Sequence, residues 1–195
     1  MNKLILASSS EYRRAMLQRL GLEFSCYAAD IDETGYPAEN ATQLAARLAS
    51  EKARQVAELF PEAMVIGCDQ TAELNGLILG KPGNHQQATE QLAMQSGNTV
   101  LFHSALTVLT CSKAGEIKRL DAIETTRVNF RQLTLQQIDR YLLIDQPYDC
   151  AGSFKAESLG ISLFSSVESN DPSSLIGLPL IALCSMLEEF GLPII

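Results

Sequence analysis

The chain has no tryptophan and only two histidines, His85 and His103. With so few imidazoles a histidine-rich metal centre is not expected. The five cysteines, Cys26, Cys68, Cys111, Cys150 and Cys184, are odd in number and widely spaced, with no C-x-x-C pair. That pattern argues against zinc and for buried free thiols. No apolar run approaches the length needed to span a membrane. Met1-Asn2-Lys3 leads straight into an apolar strand without a signal-peptide pattern, so a cytoplasmic protein with no membrane partner is expected. Positive charge is also scarce. Fifteen Lys and Arg stand against 23 Asp and Glu, a formal net charge of -8, which argues against a nucleic-acid surface. A polyphosphate remains possible where a few cations converge. Neither G-x-G-x-x-G nor G-x-x-x-x-G-K-[ST] occurs, so the Rossmann and P-loop readings fail.

What is present fits one domain over residues 1–195, since 46% of the 195 residues are hydrophobic and no repeat or long linker interrupts them. The stretch from Val65 to Pro82 is the most informative. Met64-Val65-Ile66 reads as a buried strand that stops at Gly67-Cys68-Asp69-Gln70, delivering an acid at a strand end. Asn75-Gly76 is a preferred tight hairpin turn, and Leu77-Ile78-Leu79 returns to Gly80-Lys81-Pro82. The hairpin brings Asp69 and Lys81 to one end of a ribbon. A carboxylate beside an ammonium among glycines suits phosphate chemistry, though a surface salt bridge beside a turn has the same sequence.

Other segments add to this. Leu4-Ile5-Leu6-Ala7 is a strand running into Ser8-Ser9-Ser10, with Ser10 the N-cap of a helix. Arg13 and Arg14 fall in its first turn, where the helix dipole disfavours cations, so serines and arginines together read as an anion site. Residues 24–29 can form a strand, followed by the acidic loop Asp30-Ile31-Asp32-Glu33. From Ala41 to Phe60 a helix places Leu44, Leu48, Ala49, Ala53 and Val56 on one face at ~100° per residue, with Lys52 inside that stripe. Its other charges, Arg47, Glu51, Arg54 and Glu58, lie opposite. A lysine there needs a charged partner or a wet pocket. Further on, Asn84 caps a helix whose His85 is expected in solvent. A β-hairpin over 100–130 turns at Lys113-Ala114-Gly115-Glu116 and carries His103 as a structural histidine. Thr134 and Gln137 form a capping box. Residues 148–157 form a glycine-bearing loop, Gly160–Phe164 reads as the last strand, and Pro179 begins the final helix.

These pieces together resemble the Maf family of nucleotide pyrophosphatases: Leu6-Ala7-Ser8-Ser9-Ser10 with Arg13-Arg14, then Glu33, Lys52, Asp69, Gly80-Lys81-Pro82 and Gly177-Leu178-Pro179. The match runs nearly full length. Gly67-Cys68-Asp69-Gln70 and Ala151-Gly152-Ser153-Phe154-Lys155 look like the YceF type, whose members hydrolyse 7-methyl-GTP to 7-methyl-GMP and pyrophosphate. That type commonly has Pro-Trp where this chain has Glu11-Tyr12, but tyrosine can also stack on a cationic ring. The resemblance implies an α/β fold, an elongated twisted mixed sheet flanked by helices, with two lobes and a central cleft. It implies Asp69 as general base, with Lys52, Lys81, Arg13 and Ser8 on the phosphates. Glu33 would share a divalent cation, Mg²⁺ or Mn²⁺, with Asp69. Tyr12, Gln70 and Phe154 would read the base, and Lys155 would contact phosphate. A homodimer is common in the family. The alternatives are a pyrophosphatase for dTTP, UTP or another modified nucleotide, a nucleotide-binding regulator of cell division, and a phosphomonoesterase with an aspartyl nucleophile.

Overall fold

The computed structural model describes residues 3–111 and 117–195, so the expected turn at 113–116 lies outside the described residues. Five α-helices surround a seven-stranded mixed sheet among them, in agreement with the α/β expectation. The strands are β1 (Leu4–Leu6), β2 (Ser25–Cys26), β3 (Met64–Leu74), β4 (Leu77–Leu79), β5 (Thr99–Cys111), β6 (Ile117–Phe130) and β7 (Phe164–Glu168). The sheet runs β2-β1-β3-β5-β6-β7, and β4 pairs with β3 off this path. β1 is parallel to β2 and β3, whereas β3, β5, β6 and β7 are successively antiparallel.

The helices are α1 (Glu11–Gln18), α2 (Ala41–Leu59), α3 (His85–Gln95), α4 (Leu135–Asp145) and α5 (Leu180–Glu189). Ser10, Asn40, Asn84 and Thr134 cap the first four through side-chain acceptors, and Asn40 and Thr134 complete capping boxes with Gln43 and Gln137. Pro179 is the N-cap of α5, one position before the helix.

Side chains alternate across β3. Val65 packs with Ala53, Val56 and Ala57 of α2. Met64, Ile66 and Cys68 pack on the other face with α1 and α5. Farther along that face, Ala72 and Leu74 join a separate cluster with Leu92 of α3, Leu142 of α4 and Phe102. On this face β3 thus passes from one core to another, and Asp69 and Gln70 fall in the chain between the residues of the two. The two lobes of the expected fold correspond to these cores.

Three expectations are corrected. β3 does not stop at Gly67; it continues for 11 residues because β5 pairs with it without a break, Gly67 opposite Thr107 and Asp69 opposite Ala105. The Gly160–Phe164 segment is a 3-10 helix over Leu159–Leu163, and the strand begins where that turn ends, at Phe164. Residues 24–29 contribute only a two-residue strand at Ser25–Cys26. Of the cysteines, only Cys68 is fully buried, and Cys26 is exposed.

Candidate active site

One edge of β3 changes partner along its length. β1 pairs with it as far as Ile66, and β4 begins only at Ala72. Between these, no strand covers that edge among the described residues, while β5 holds the opposite edge throughout. The gap opens into a cleft of about 700 Å³. Its walls are the chain leaving β1 (Ser8–Arg13), α2, the chain leaving β4 (Gly80 and Lys81), and the 149–157 loop. A crevice where strand neighbours diverge is where open α/β sheets bind ligands.

Asp69 is therefore mid-strand, not at a strand end, and it reaches the cleft through the gap. Lys52 and Asp69 are each only 7% exposed, so both charges need partners. Lys52 Nζ donates to Asp69 Oδ1 at 2.6 Å. The same nitrogen lies 2.6 Å from Glu33 Oε1. One ammonium thus joins two carboxylates, which accounts for a lysine inside the apolar stripe of α2.

This contact depends on an unusually close helix. A Cβ on Gly67 would lie 2.2 Å from Ala49 O and 2.7 Å from Ala53 Cβ. Ala45, Ala49 and Ala105 make up the small cluster beside it. Only glycine and alanines allow α2 to approach β3 this closely. Burial by itself would raise the Glu33 carboxyl; the Lys52 hydrogen bond and charge, with Lys81 and Arg13 beyond, outweigh it and lower it.

Arg13 Nε donates to Gly177 O at 3.1 Å. Gly177 has φ +109°, and a Cβ there would stand 3.3 Å from Arg13 Nε. The glycine thus lets its own carbonyl hold the guanidinium of Arg13, which lines the cleft. Ser8 is buried, and its hydroxyl accepts from Ser10 N at 3.2 Å. Lys81 is exposed at the cleft mouth. Arg14 does not join them: it turns outward, 3.9 Å from the exposed Glu11.

At the other end of the cleft, Tyr12 lies against the 149–157 loop. Burial, then the nearby charges of Cys150, Asp149 and Glu157, push its hydroxyl up to about 12. Gln70 Nε2 donates to Ser104 Oγ and Ser174 O, both at 2.9 Å, and to Leu175 O at 3.1 Å. Phe154 is 5% exposed and meets Phe102, Phe130 and Phe164 edge to face at 4.8–5.7 Å. Lys155 Nζ donates to Asp145 O at the end of α4, at 2.9 Å.

Residues 3–190 match the Maf-like protein family. The chain belongs to that family. It is 50% identical over 194 residues to the 7-methyl-GTP pyrophosphatase of Xanthomonas axonopodis pv. citri (strain 306), covering all of both chains. It is 51% identical to the protein of that name from Pseudomonas savastanoi pv. phaseolicola, again over all of both chains. Among solved structures it resembles a HAM1 protein from Coxiella burnetii, with a TM-score of 0.54 at 17% identity over 97% of this chain and 100% of that one. That likeness is one of fold.

In this Maf-like chain the residues singled out in the sequence for the site line the same cleft, Arg14 excepted: Ser8, Tyr12, Arg13, Glu33, Lys52, Asp69, Gln70, Lys81, Phe154 and Lys155. Their environments differ from expectation in three cases. Phe154 is a core ring, 5% exposed and packed edge to face with three other phenylalanines, although it also lines the cleft. Gln70 has its amide nitrogen tied to the 174–175 carbonyls, which leaves only its oxygen for a ligand. The Lys155 ammonium is held at a helix C-terminus, where the dipole attracts it, rather than aimed at a phosphate. Outside the cleft centre, His85 is not simply solvated: its ring bridges the Tyr148 hydroxyl at 3.1 Å and Asp139 at 2.9 Å. His103 bonds Thr125 at 3.0 Å, consistent with a structural histidine.

Sequence reasoning missed Ser104 and the carbonyls of Ser174 and Leu175, which hold Gln70. A mid-strand serine and main-chain acceptors carry no sequence signal. It also read Gly67 as a strand terminator, although a glycine inside a strand equally marks close approach of another backbone.

Proposed function

We propose that this protein hydrolyses 7-methyl-GTP to 7-methyl-GMP and pyrophosphate. The observation that carries the reading is the Glu33–Lys52–Asp69 triad, set in a sheet-edge gap with Arg13 and Lys81 beside it. The base is proposed from relatives half identical over their full length that carry the name 7-methyl-GTP pyrophosphatase.

In this reading the triphosphate lies between the β1–α1 chain and Lys81. Arg13, Lys81, Lys52 and the Ser8 hydroxyl offset its charge and the charge that develops on pyrophosphate. A water attacks the α-phosphorus in line, the bond to the bridging oxygen of the β-phosphate breaks, and Asp69 accepts the water's proton. Lys52 holds Asp69 in place for that step through its hydrogen bond to Oδ1. Tyr12 covers the base, and Phe154 backs the wall behind it.

A divalent cation fits these residues as a shared site. Asp69 and Glu33 each give one oxygen to Lys52 and retain another, and Mg²⁺ is commonly held by one or two carboxylates plus substrate phosphates. Among the described residues no group of three or more His, Cys, Asp or Glu could hold a metal alone, so binding would accompany the nucleotide. When bound, Mg²⁺ or Mn²⁺ would neutralise phosphate charge and acidify water. No helix among the described residues is long and apolar enough to cross a membrane, and we propose that the protein acts on nucleotides in the cytoplasm.

The test is product analysis with 7-methyl-GTP, GTP, dTTP and UTP in Mg²⁺ or Mn²⁺. Selective pyrophosphate release from 7-methyl-GTP is expected. Preference for a pyrimidine nucleotide would refute the base assignment, and orthophosphate as the first product would refute the reaction.

A further inference from the structure

Glu33 sits on a segment with no core of its own. Residues 30–39 belong to no helix or strand, and Asp32 through Ala38 are all exposed. Such a segment should open at little cost unless something ties it down. The ties come from one stripe of α2, at Arg47, Glu51 and Gln55, four residues apart.

At one end Gln55 makes a two-way clasp on Asp30. Its Oε1 accepts from Asp30 N at 2.7 Å and its Nε2 donates to Asp30 O. At the other end stands Arg47, a half-buried guanidinium that makes four hydrogen bonds. Nε and Nη2 form a bidentate pair with Glu39 at 2.7 and 2.9 Å, and Nη2 also donates to Thr34 O at 2.9 Å. Nη1 donates to Glu51 Oε2 at 3.0 Å, which anchors the group to its own helix. The Tyr36 ring covers it at 4.0 Å. Thr34 is the neighbour of Glu33, so the clamp acts one residue from the carboxylate that meets Lys52.

We infer that Arg47, backed by Gln55, is a positioning residue that holds the 30–39 segment closed and sets Glu33 against Lys52 and the reacting phosphates. The inference rests on the proposed role of Glu33 at the triphosphate. Arg47 itself does not line the cleft. The planar fork supplies several fixed donors at once, and a lysine at this position supplies a single flexible ammonium. Sequence reasoning put Arg47 on the solvent side of α2; it lies instead on the flank that carries the segment.

The experiment compares the full chain with Arg47→Met, Arg47→Lys, Glu33→Gln and the Arg47→Met/Glu33→Gln double variant. Amide hydrogen exchange over 30–39 and steady-state pyrophosphate release at varied Mg²⁺ are read together. In Arg47→Met, exchange at 30–39 should quicken at least about tenfold while the sheet stays protected. Its kcat/KM for 7-methyl-GTP should fall roughly ten- to a hundredfold, with more Mg²⁺ needed for half-maximal rate. Arg47→Lys should recover only part of this. On the Glu33→Gln background the loss should nearly vanish, because Arg47 acts through Glu33. Unchanged exchange at 30–39, or a full additional loss on that background, would overturn the inference. If the unaltered protein releases pyrophosphate from none of the nucleotides, the functional reading fails, and exchange alone decides whether the clamp exists. Should Arg47→Met not fold, Gln55→Met gives the same exchange readout at the Asp30 end.

Discussion

Ala49 and Gly67 approach so closely that a single added methyl at Gly67 would lie 2.2 Å from the Ala49 carbonyl oxygen. Helix α2 and strand β3 are in near backbone contact there. One helical turn past Ala49, Lys52 reaches Asp69 two residues beyond Gly67. The geometry of the cleft and the packing of the core share the same contact.

Gly67→Ala should therefore cost about 3 kcal/mol of stability, the upper range for overpacking a tight core. Because the helix must lift, the Lys52–Asp69 contact lengthens as well. Urea unfolding together with turnover at a temperature where the variant is still folded would check this. Full activity in a folded variant would contradict the link between packing and site.

Removing either member of the buried pair should have unequal effects. Asp69→Asn takes away the proposed proton acceptor, so turnover should fall roughly a hundred- to ten-thousandfold. Its stability loss should be modest, since Lys52 keeps Glu33 as partner. Lys52→Met leaves the Asp69 carboxylate buried without its cation and should destabilise by about 3 kcal/mol, the lower end for a broken buried pair. Thermal or urea unfolding of the two variants gives the ranking, and the reverse order would show that Asp69 is not the buried partner in need.

Glu33 makes a prediction in pH. Its carboxyl is lowered in the folded chain, so the folded state binds that proton less readily than the unfolded one. The resulting stability is fully present above the ordinary glutamate value of about 4.3 and drains away as pH falls through the lower folded value. Glu33→Gln should flatten that part of the acid limb and leave the profile above pH 6 unchanged in shape. Unfolding free energy measured from pH 7 down to pH 3 tests the sign.

Phe154 and Tyr12 should separate into a core ring and a cleft ring. Phe154→Ala removes the centre of a four-ring cluster and should cost about 3–4 kcal/mol, as for other buried phenylalanines. Tyr12→Ala should unfold close to the native midpoint while raising KM for 7-methyl-GTP. Tyr12→Phe should also remove a phenol titration near 12, so that less stability is lost as pH climbs from about 10 than in the unaltered chain. Unfolding midpoints, KM values and ultraviolet titration distinguish the two residues.

Much of this protein is determined by local sequence. The caps at Ser10, Asn84 and Thr134, the apolar face of α2 and the Asn75-Gly76 turn act through neighbours a few residues away. The isolated position of Lys52 among apolar residues marked the site for the same reason, since a buried charge needs a partner wherever it falls. The identity of the partners is another matter. That Lys52 holds both Glu33 and Asp69, that Gln70 is tied to Ser174 and Leu175, and that Phe154 lies within a ring cluster depend on contacts between residues 10 to 105 positions apart. The length of β3 is of the same kind: Gly67-Cys68-Asp69-Gln70 looks like a strand end by itself and becomes mid-strand because β5 pairs antiparallel alongside it from Met64 to Glu73. Backbone pairing and close packing are long-range, and they decided which side chains of this sequence face the cleft and which support it.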